Sequence, residues 1–293
     1  MHPSHFTPTI ISSSTPSPSD PTSKFIELKI PLSLLPPDYQ DLSAVWSLCI
    51  KDDDIQTERP YTPLDGIDKN GKVRLWIRRY PDGEVGRWIH NKTVGKKLEI
   101  RGPLQTIDMK AENGKWDHII MISGGTGITP FYQLMHQVFS GNKPGSGFEN
   151  TRFTLLHSSR TYSQLPPRPI LGPLSYWADR YKDRFAMKLF VDSAEDMGSS
   201  NVHRVTVRRI ARGDVEAAAL IMGENKSEKG IIERIRPAQK DVVGQLDRTL
   251  VLVCGPDPMV AAIAGPRARD LSQGPVRGIL GDLGFDNSSV KKL

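Results

Sequence analysis

Long apolar runs are missing from this 293-residue chain. A membrane-spanning helix needs about 18 or more consecutive apolar residues. The longest candidates, Ile119 to Ile122 and Leu250 to Cys254, are strand-sized, which excludes a spanning helix in the chain as given. Cysteine is scarce as well. Cys49 and Cys254 stand far apart, which rules out a disulfide scaffold and suits a reducing compartment. None of the 7 histidines pairs with Cys, Asp or Glu at zinc-site spacing, so no metal site is expected. The hydrolase elbow G-x-S-x-G is absent. Charge is nearly balanced, with 39 Lys+Arg against 33 Asp+Glu and a net +6. No basic stretch is interleaved with aromatics, so nucleic acid is not an expected partner. Met1 to Ser23 is rich in Ser, Thr and Pro, but it lacks both the apolar core of a signal peptide and the arginines of a transit peptide. A cytoplasmic or mitochondrial location without an anchor in this chain is the expectation.

The length suggests two domains or one large one, and the pattern changes near Trp116. Before it, short strands alternate with Gly, Pro and Asp breaks. The candidates are Phe6 to Ile11, Phe25 to Ile30 (after a loop from Ser13 to Thr22), Val45 to Ile50, Arg59 to Thr62, Val73 to Arg79 and Lys97 to Arg101. In the fifth, Val73, Leu75 and Ile77 share one face, with Arg74, Trp76 and Arg78 on the other. Six strands at this spacing predict a small antiparallel β-barrel. Beyond Trp116, strands alternate with helices. His118 to Ser123, Phe153 to His157, Ala186 to Val191 and Arg248 to Cys254 read as strands. Helical patterns follow at Phe131, Leu134, Met135 and Val138, around Leu174 to Tyr181, and around Met259 to Ala264. That alternation predicts an α/β domain with a parallel sheet. Ser193 to Leu246 is hard to read; it offers one amphipathic stretch, Val202 to Ala211, and a polar surface loop at Gly223 to Lys229.

Three short segments carry chemistry. In Arg59-Pro60-Tyr61-Thr62-Pro63-Leu64, Tyr61 offers a ring face to a flat cofactor and Arg59 a charge for a phosphate. Taken alone, this hexapeptide reads more simply as an exposed strand Tyr beside a solvated Arg. In Gly124-Gly125-Thr126-Gly127-Ile128-Thr129-Pro130, glycines between a buried strand and a helix let backbone approach an anionic ligand. Thr129 suits an N-cap and Pro130 a first helical position. Taken alone, the segment serves equally well as a tight turn with no ligand. Cys254-Gly255-Pro256-Asp257-Pro258-Met259 makes a rigid turn at a strand's C-terminal end, where open α/β sheets place ligands. With no His or Lys beside it in the sequence, Cys254 is not read as a nucleophile.

Taken together in this order, the segments resemble the ferredoxin–NADP reductase superfamily, most closely its cytochrome-b5 reductase-like branch. The resemblance covers nearly the whole chain. It implies an FAD-binding six-stranded barrel over 1–112 and a nicotinamide-nucleotide-binding α/β domain over 113–293. It further implies that Arg59 contacts the FAD pyrophosphate, Tyr61 packs on the flavin and Thr62 lies near its N5, with Pro60 between them in the motif. Ile77 and Arg79 would line the isoalloxazine and adenosine sides. Val85, Gly86 and Arg87, within the Gly83 to Arg87 turn, match a second phosphate-binding segment. A Ser is usual where Gly86 stands; backbone N–H groups and Arg87 would offset the lost hydroxyl.

In the second domain the resemblance implies that Gly124, Gly125, Thr126, Gly127, Thr129 and Pro130 hold the nucleotide pyrophosphate. Cys254 and Gly255 would guide the nicotinamide, and Pro256 and Met259 would shape that wall. Thr62 and Cys254 are then the residues nearest the hydride transfer. Asp192 matches the carboxylate that disfavours a 2′-phosphate, whereas Ser159-Arg160 resembles the phosphate grip of NADPH users, so NADH is the favoured donor with NADPH the alternative. The implied activity passes electrons from NADH through FAD to a one-electron acceptor such as a haem protein, cytochrome b5 or cytochrome c-like. Two alternatives remain at this point. One is a mitochondrial flavoprotein resembling the cytochrome c import factor; the other is a binding module that has lost FAD.

Overall fold

The computed structural model describes residues 1–37, 39, 42, 43, 45–52, 56–140, 147–196, 205–220, 248–268, 270 and 272–293. They form two compact units. One comprises Met1–Asn113, Gly125–Glu149 and Ser163–Trp177, the other Gly114–Gly124, Asn150–Tyr162 and Ala178–Leu293.

The first unit is built on β1 (Thr7–Pro16), β2 (Ser23–Lys29), β3 (Trp46–Lys51), β4 (Glu58–Tyr61), β5 (Lys72–Arg78) and β6 (Lys97–Gln105). They form one antiparallel sheet in the order β4-β3-β6-β1-β2-β5. Past β4 the chain seats on β5: Leu64 N–H donates to Arg74 O at 2.9 Å, and Ile67 bridges Val73. The two ends of the sheet are thereby drawn together, as in a barrel. Ile11, Ile26, Leu28, Leu48, Ile50, Val73, Leu75, Ile77 and Ile100 fill the interior, because alternate residues of each strand point inward.

Two features differ from the sequence reading. Ser13 to Pro16 is not a loop; these residues continue β1 and pair with β2 beyond a register shift between Ile11 and Ser13. Ser12 Oγ helps by donating to Glu27 Oε1 at 2.8 Å. The segment read as a turn at Gly83 to Arg87 enters helix α1 (Glu84–Asn91). Val85 and Ile89 bury one stripe of that helix against the barrel interior. At its C-terminal end, His90 Nε2 lies 3.1 Å from Ile77 O, and Lys24 Nζ donates to His90 O at 2.9 Å. The same unit holds α2 (Thr129–Ser140) and most of α3 (Arg168–Arg180), the latter starting earlier than its periodicity predicts and containing Pro173.

The second unit carries β7 (His118–Gly124), β8 (Arg152–Ser159), β9 (Phe185–Val191), β10 (Val205–Val207), β11 (Thr249–Cys254) and β12 (Val290–Lys292). All pair in parallel, in the order β10-β9-β8-β7-β11-β12. β7 is buried along its whole length, as expected for a central strand covered on both faces. Helices α4 (Arg212–Leu220), α5 (Asp257–Ala264) and α6 (Gly278–Asp282) pack on the sheet through Val215, Ala218, Val260, Ile263 and Leu280. The amphipathic stretch expected at Val202 to Ala211 is not a helix in its described part: Val205–Val207 extend the sheet as β10, and the helix starts at Arg212. β-branched residues at 205 to 207 favour the strand. The expected loop at Gly223 to Lys229 lies outside the described residues.

Candidate functional site

On the barrel unit, β4 carries the first segment. Its position is fixed from two sides. Arg101 of β6 reaches across β3 to Glu58, donating from Nε at 2.6 Å and from Nη2 at 2.5 Å. At the other end Gln133 of α2 accepts from Trp46 N–H at 2.9 Å and donates to Pro63 O at 2.9 Å and Trp46 O at 3.2 Å. Between these clamps, Arg59 and Pro60 are exposed, while Tyr61 and Thr62 are half-buried. Tyr61 packs on the barrel core, and burial pushes its phenol above the ordinary value. Arg59 turns one guanidinium nitrogen back to Glu58 O at 2.8 Å and keeps the rest in solvent.

β5 ends at Ile77 and Arg78, with Arg79 exposed beyond it. Beside that end lies the start of α1. A Cβ placed on Gly86 would meet Arg78 O at 3.2 Å, so a larger residue there would need the β5 end to give. The α1 N-cap, Gly83, offers no side-chain hydrogen bond, and Arg87 in the first turn is exposed. An uncapped helix N-terminus leaves backbone N–H groups for an anion.

Sequence reasoning missed the buried pair at the β5 end. Arg78 donates from Nε to Asp20 Oδ2 at 3.1 Å, holds Nη2 2.9 Å from the same oxygen, and donates from Nη2 to Gln164 O at 2.9 Å. Asp20 in turn accepts from Thr22 N–H at 2.9 Å and Thr22 Oγ1 at 2.6 Å. Gly125 lies close by: a Cβ there would be 3.4 Å from Tyr80 Oη and 3.7 Å from Arg78 Nη1. Tyr80 Oη also stands 3.4 Å from Thr126 Oγ1. The Gly125–Ile128 segment is a single 3-10 turn leading into α2, and Thr129 Oγ1 donates to Thr126 O at 3.0 Å. Gly127 is half-buried, and Thr129 and Pro130 are buried at the start of the helix.

In the parallel-sheet unit, the ends of β7 and β11 are adjacent, with Ser123 paired to Cys254. Gly124 and Gly255 approach so closely that a Cβ on Gly255 would sit 3.0 Å from Gly124 N and 2.7 Å from Met259 Cε. A Cβ on Gly124 would sit 2.6 Å from Met259 Sδ and 3.1 Å from Pro256 Cδ. Side-chain volume at either position would open this join, which explains why both are glycine. Cys254, Gly255 and Met259 are half-buried, and Pro256 is exposed. Burial pushes the Cys254 thiol up to about 12, so it stays protonated at neutral pH and is a poor nucleophile. Asp192 stands just past β9, exposed and paired with Arg209.

Two oxidoreductase families match the chain. Residues 43–109 match the oxidoreductase FAD-binding domain, and residues 121–265 the oxidoreductase NAD-binding domain. The chain thus carries an oxidoreductase FAD-binding domain followed by an oxidoreductase NAD-binding domain. Among curated relatives, this chain is 29% identical over 241 residues to NADH-cytochrome b5 reductase 2 of Coccidioides immitis, covering 82% of this chain and 63% of that protein. It is 30% identical over 239 residues to the protein of the same name from Candida albicans, covering 80% and 66%. The chain thus spans less than two thirds of these relatives' length. The fold is shared with the cytochrome b5 reductase domain of Ulva prolifera nitrate reductase, at TM-score 0.66, 19% identity and coverage of 100% and 99%. A ferredoxin NADP+ reductase from Neisseria gonorrhoeae with bound FAD and NADP matches at TM-score 0.61 and 13% identity, covering 98% of each chain. A cytochrome c import factor and a module that has lost FAD find no support in these comparisons, nor does a cytochrome c-like partner. Among the described residues, no helix is long and apolar enough to cross a membrane.

Proposed function

We propose that this chain takes hydride from NADH and delivers electrons singly to a haem protein of the cytochrome b5 kind. The names of its relatives support both donor and acceptor. The observation that carries the reading is the presence, in one chain, of a barrel whose β4 presents Arg59, Tyr61 and Thr62 and a parallel sheet whose strand ends bring Gly124 against Gly255. We assign 1–112 to the flavin domain and 113–293 to the nucleotide domain. The two free thiols support a reducing compartment, cytoplasmic or mitochondrial.

The barrel's groups fit a flat, anionic dinucleotide: an uncapped helix N-terminus, the exposed guanidinium groups of Arg59, Arg79 and Arg87, and a phenol ring anchored on the core. FAD, when bound, supplies the two-electron acceptance and one-electron release that amino-acid side chains cannot. The chain's own groups bind and orient. Tyr61 gives a stacking face whose position Arg101 and Gln133 fix through the ends of β4. Val85 and Gly86 would offer backbone N–H groups at the helix start and Thr62 a hydroxyl near the ring, whereas Ile77, expected to line the flavin, is buried in the barrel interior and presents no face to it. Gly124 to Pro130 would hold the nucleotide pyrophosphate, and Cys254, Gly255, Pro256 and Met259 would shape the wall for the nicotinamide. Such positioning is worth several powers of ten in rate.

Protein prepared with added FAD is expected to show a flavin absorbance band that NADH bleaches without oxygen, and to reduce cytochrome b5 faster than cytochrome c. Absence of the band overturns the flavin assignment, and equal rates overturn the acceptor. Tyr61→Ala is expected to weaken FAD about tenfold, since a stacked ring contributes roughly 0.5–1.5 kcal/mol beyond its buried area; titration of apoprotein with FAD measures it. Cys254→Ser is expected to slow bleaching several-fold with FAD still bound. A covalent adduct trapped on Cys254 would contradict a positioning role.

A further inference from the structure

At the C-terminal ends of β8 and β9 the ladder continues one step past its last pair. Asp192 N–H donates to Ser159 O at 3.1 Å, and Ser193 N–H to Arg160 O at 3.0 Å. Asp192 and Arg160 therefore leave the sheet side by side. Ser159 is a firm base for this edge: its hydroxyl is 3.1 Å from His157 Nε2, and His157 Nδ1 is 2.8 Å from Ser123 Oγ, all three residues being buried. The next strand, β10, delivers two consecutive arginines to the same edge, and they part ways. Arg208 turns to Asp214, binding it with both terminal nitrogens at 2.5 and 2.8 Å and lying over Phe190 at 5.4 Å. Arg209 turns to Asp192, with Nε 3.2 Å from Oδ2, and its side chain is 85% exposed. One arginine is structural. The other is held by a single solvent-exposed carboxylate.

We infer that Arg209 is a nucleotide-selectivity residue, which pairs with Asp192 when a ribose 2′-hydroxyl is present and turns to a 2′-phosphate when one arrives. This rests on the reading that the β8–β9 edge takes the adenosine end of a nicotinamide nucleotide. Asp192 alone would repel a 2′-phosphate. An exposed ion pair is weak, however, so Arg209 leaves it at little cost, and a phosphate offers the guanidinium a charge-assisted, two-pronged acceptor. The mobile cation thereby offsets the repulsion from its own partner, with Arg160 on the far side. The result is a chain that favours NADH only modestly and keeps NADPH usable.

The test is calorimetric binding, to the FAD-loaded protein, of adenosine 2′,5′-bisphosphate and adenosine 5′-monophosphate, which differ only in the 2′-phosphate. Arg209→Gln is expected to weaken the bisphosphate five- to tenfold and leave the monophosphate within twofold, while Arg209→Lys, which keeps the charge, recovers part of the loss. Asp192→Asn is expected to tighten the bisphosphate about tenfold with Arg209 present and only about threefold in the Arg209→Gln background. An Arg209→Gln protein whose ratio of the two affinities stays within twofold of wild type overturns the proposal. If neither adenosine ligand binds wild type saturably while NADH still bleaches the flavin, the placement of the nucleotide falls, and the proposal with it.

Discussion

Asp20→Ala is expected to destabilise the protein by about 3–5 kcal/mol, the range for removing one partner of a buried ion pair. Both side chains of the Asp20–Arg78 pair are almost out of solvent, at 6% and 7% exposure, so the substitution strands a guanidinium that keeps its bond to Gln164 O but loses its counter-charge. It also releases Thr22, which spends its hydroxyl and its N–H on the same carboxylate. Urea unfolding followed by tryptophan fluorescence measures the loss, and a change below about 1 kcal/mol would contradict the assignment. Replacing both partners, Asp20→Ala with Arg78→Met, should cost less than Asp20→Ala alone, because no charge is then left buried.

The pair also has a pH signature. Burial by itself would raise the Asp20 carboxyl; the bonds from Thr22 and the charge of Arg78 outweigh it and hold the group below its ordinary value. Its stabilisation is therefore present above the ordinary Asp pKa of about 3.9 and is lost as pH falls through the depressed folded value. A separate loss comes first. His118, buried at the start of β7 with Nε2 2.9 Å from Thr154 Oγ1, is pushed down to about 4 by that burial. Its contribution disappears as pH falls from about 6.5 towards that value. Acid unfolding of wild type should show both decrements, and Asp20→Ala should abolish the lower one.

What could be read from the sequence was what neighbouring residues decide. Val73, Leu75 and Ile77 alternate, and they line the barrel interior; Ile119 to Ile122 form an unbroken apolar run, and they lie in a buried parallel strand. Cys254 and Gly255 could be singled out because a strand end and a glycine turn are adjacent in the chain. The features that escaped depend on distant partners. Ser13 to Pro16 has a loop composition and becomes strand only because β2 supplies its ladder. Helix α1 is 8 residues long and begins behind Pro81-Asp82-Gly83, so its Val85–Ile89 stripe is too short to stand out. Asp20 and Arg78 lie 58 residues apart. Gln133 sits in an apolar helical stripe, where a polar residue is a faint signal that becomes explicable only when Trp46 and Pro63 appear opposite it. Likewise, Asp192 is visible as a carboxylate ending a strand, but the arginine that partners it comes 17 residues later, just past another strand.

Gly255→Val is expected to slow NADH-driven flavin bleaching about a hundredfold while leaving FAD content unchanged. The first carbon added would face two neighbours of different kinds. Met259 Cε, at 2.7 Å, is the far end of a flexible side chain and can swing aside. Gly124 N and Cα, at 3.0 and 3.3 Å, are backbone at the end of β7, a strand flanked on both sides by paired strands. They cannot retreat without disturbing the sheet. Alanine places a single carbon at that limit, and a shift of a few tenths of an ångström accommodates it, so Gly255→Ala should lose only a few-fold. Valine adds two further carbons on a branched centre with restricted rotamers, forcing the Cys254–Gly255–Pro256 turn away from Gly124 by something approaching an ångström. Displacements of that size in a positioning element cost roughly a hundredfold in rate. Anaerobic stopped-flow bleaching at saturating NADH isolates the orientation effect from weakened binding, and flavin absorbance per protein shows that the barrel is untouched. A valine variant that bleaches within threefold of wild type would mean that the close approach of Gly124 and Gly255 serves packing alone.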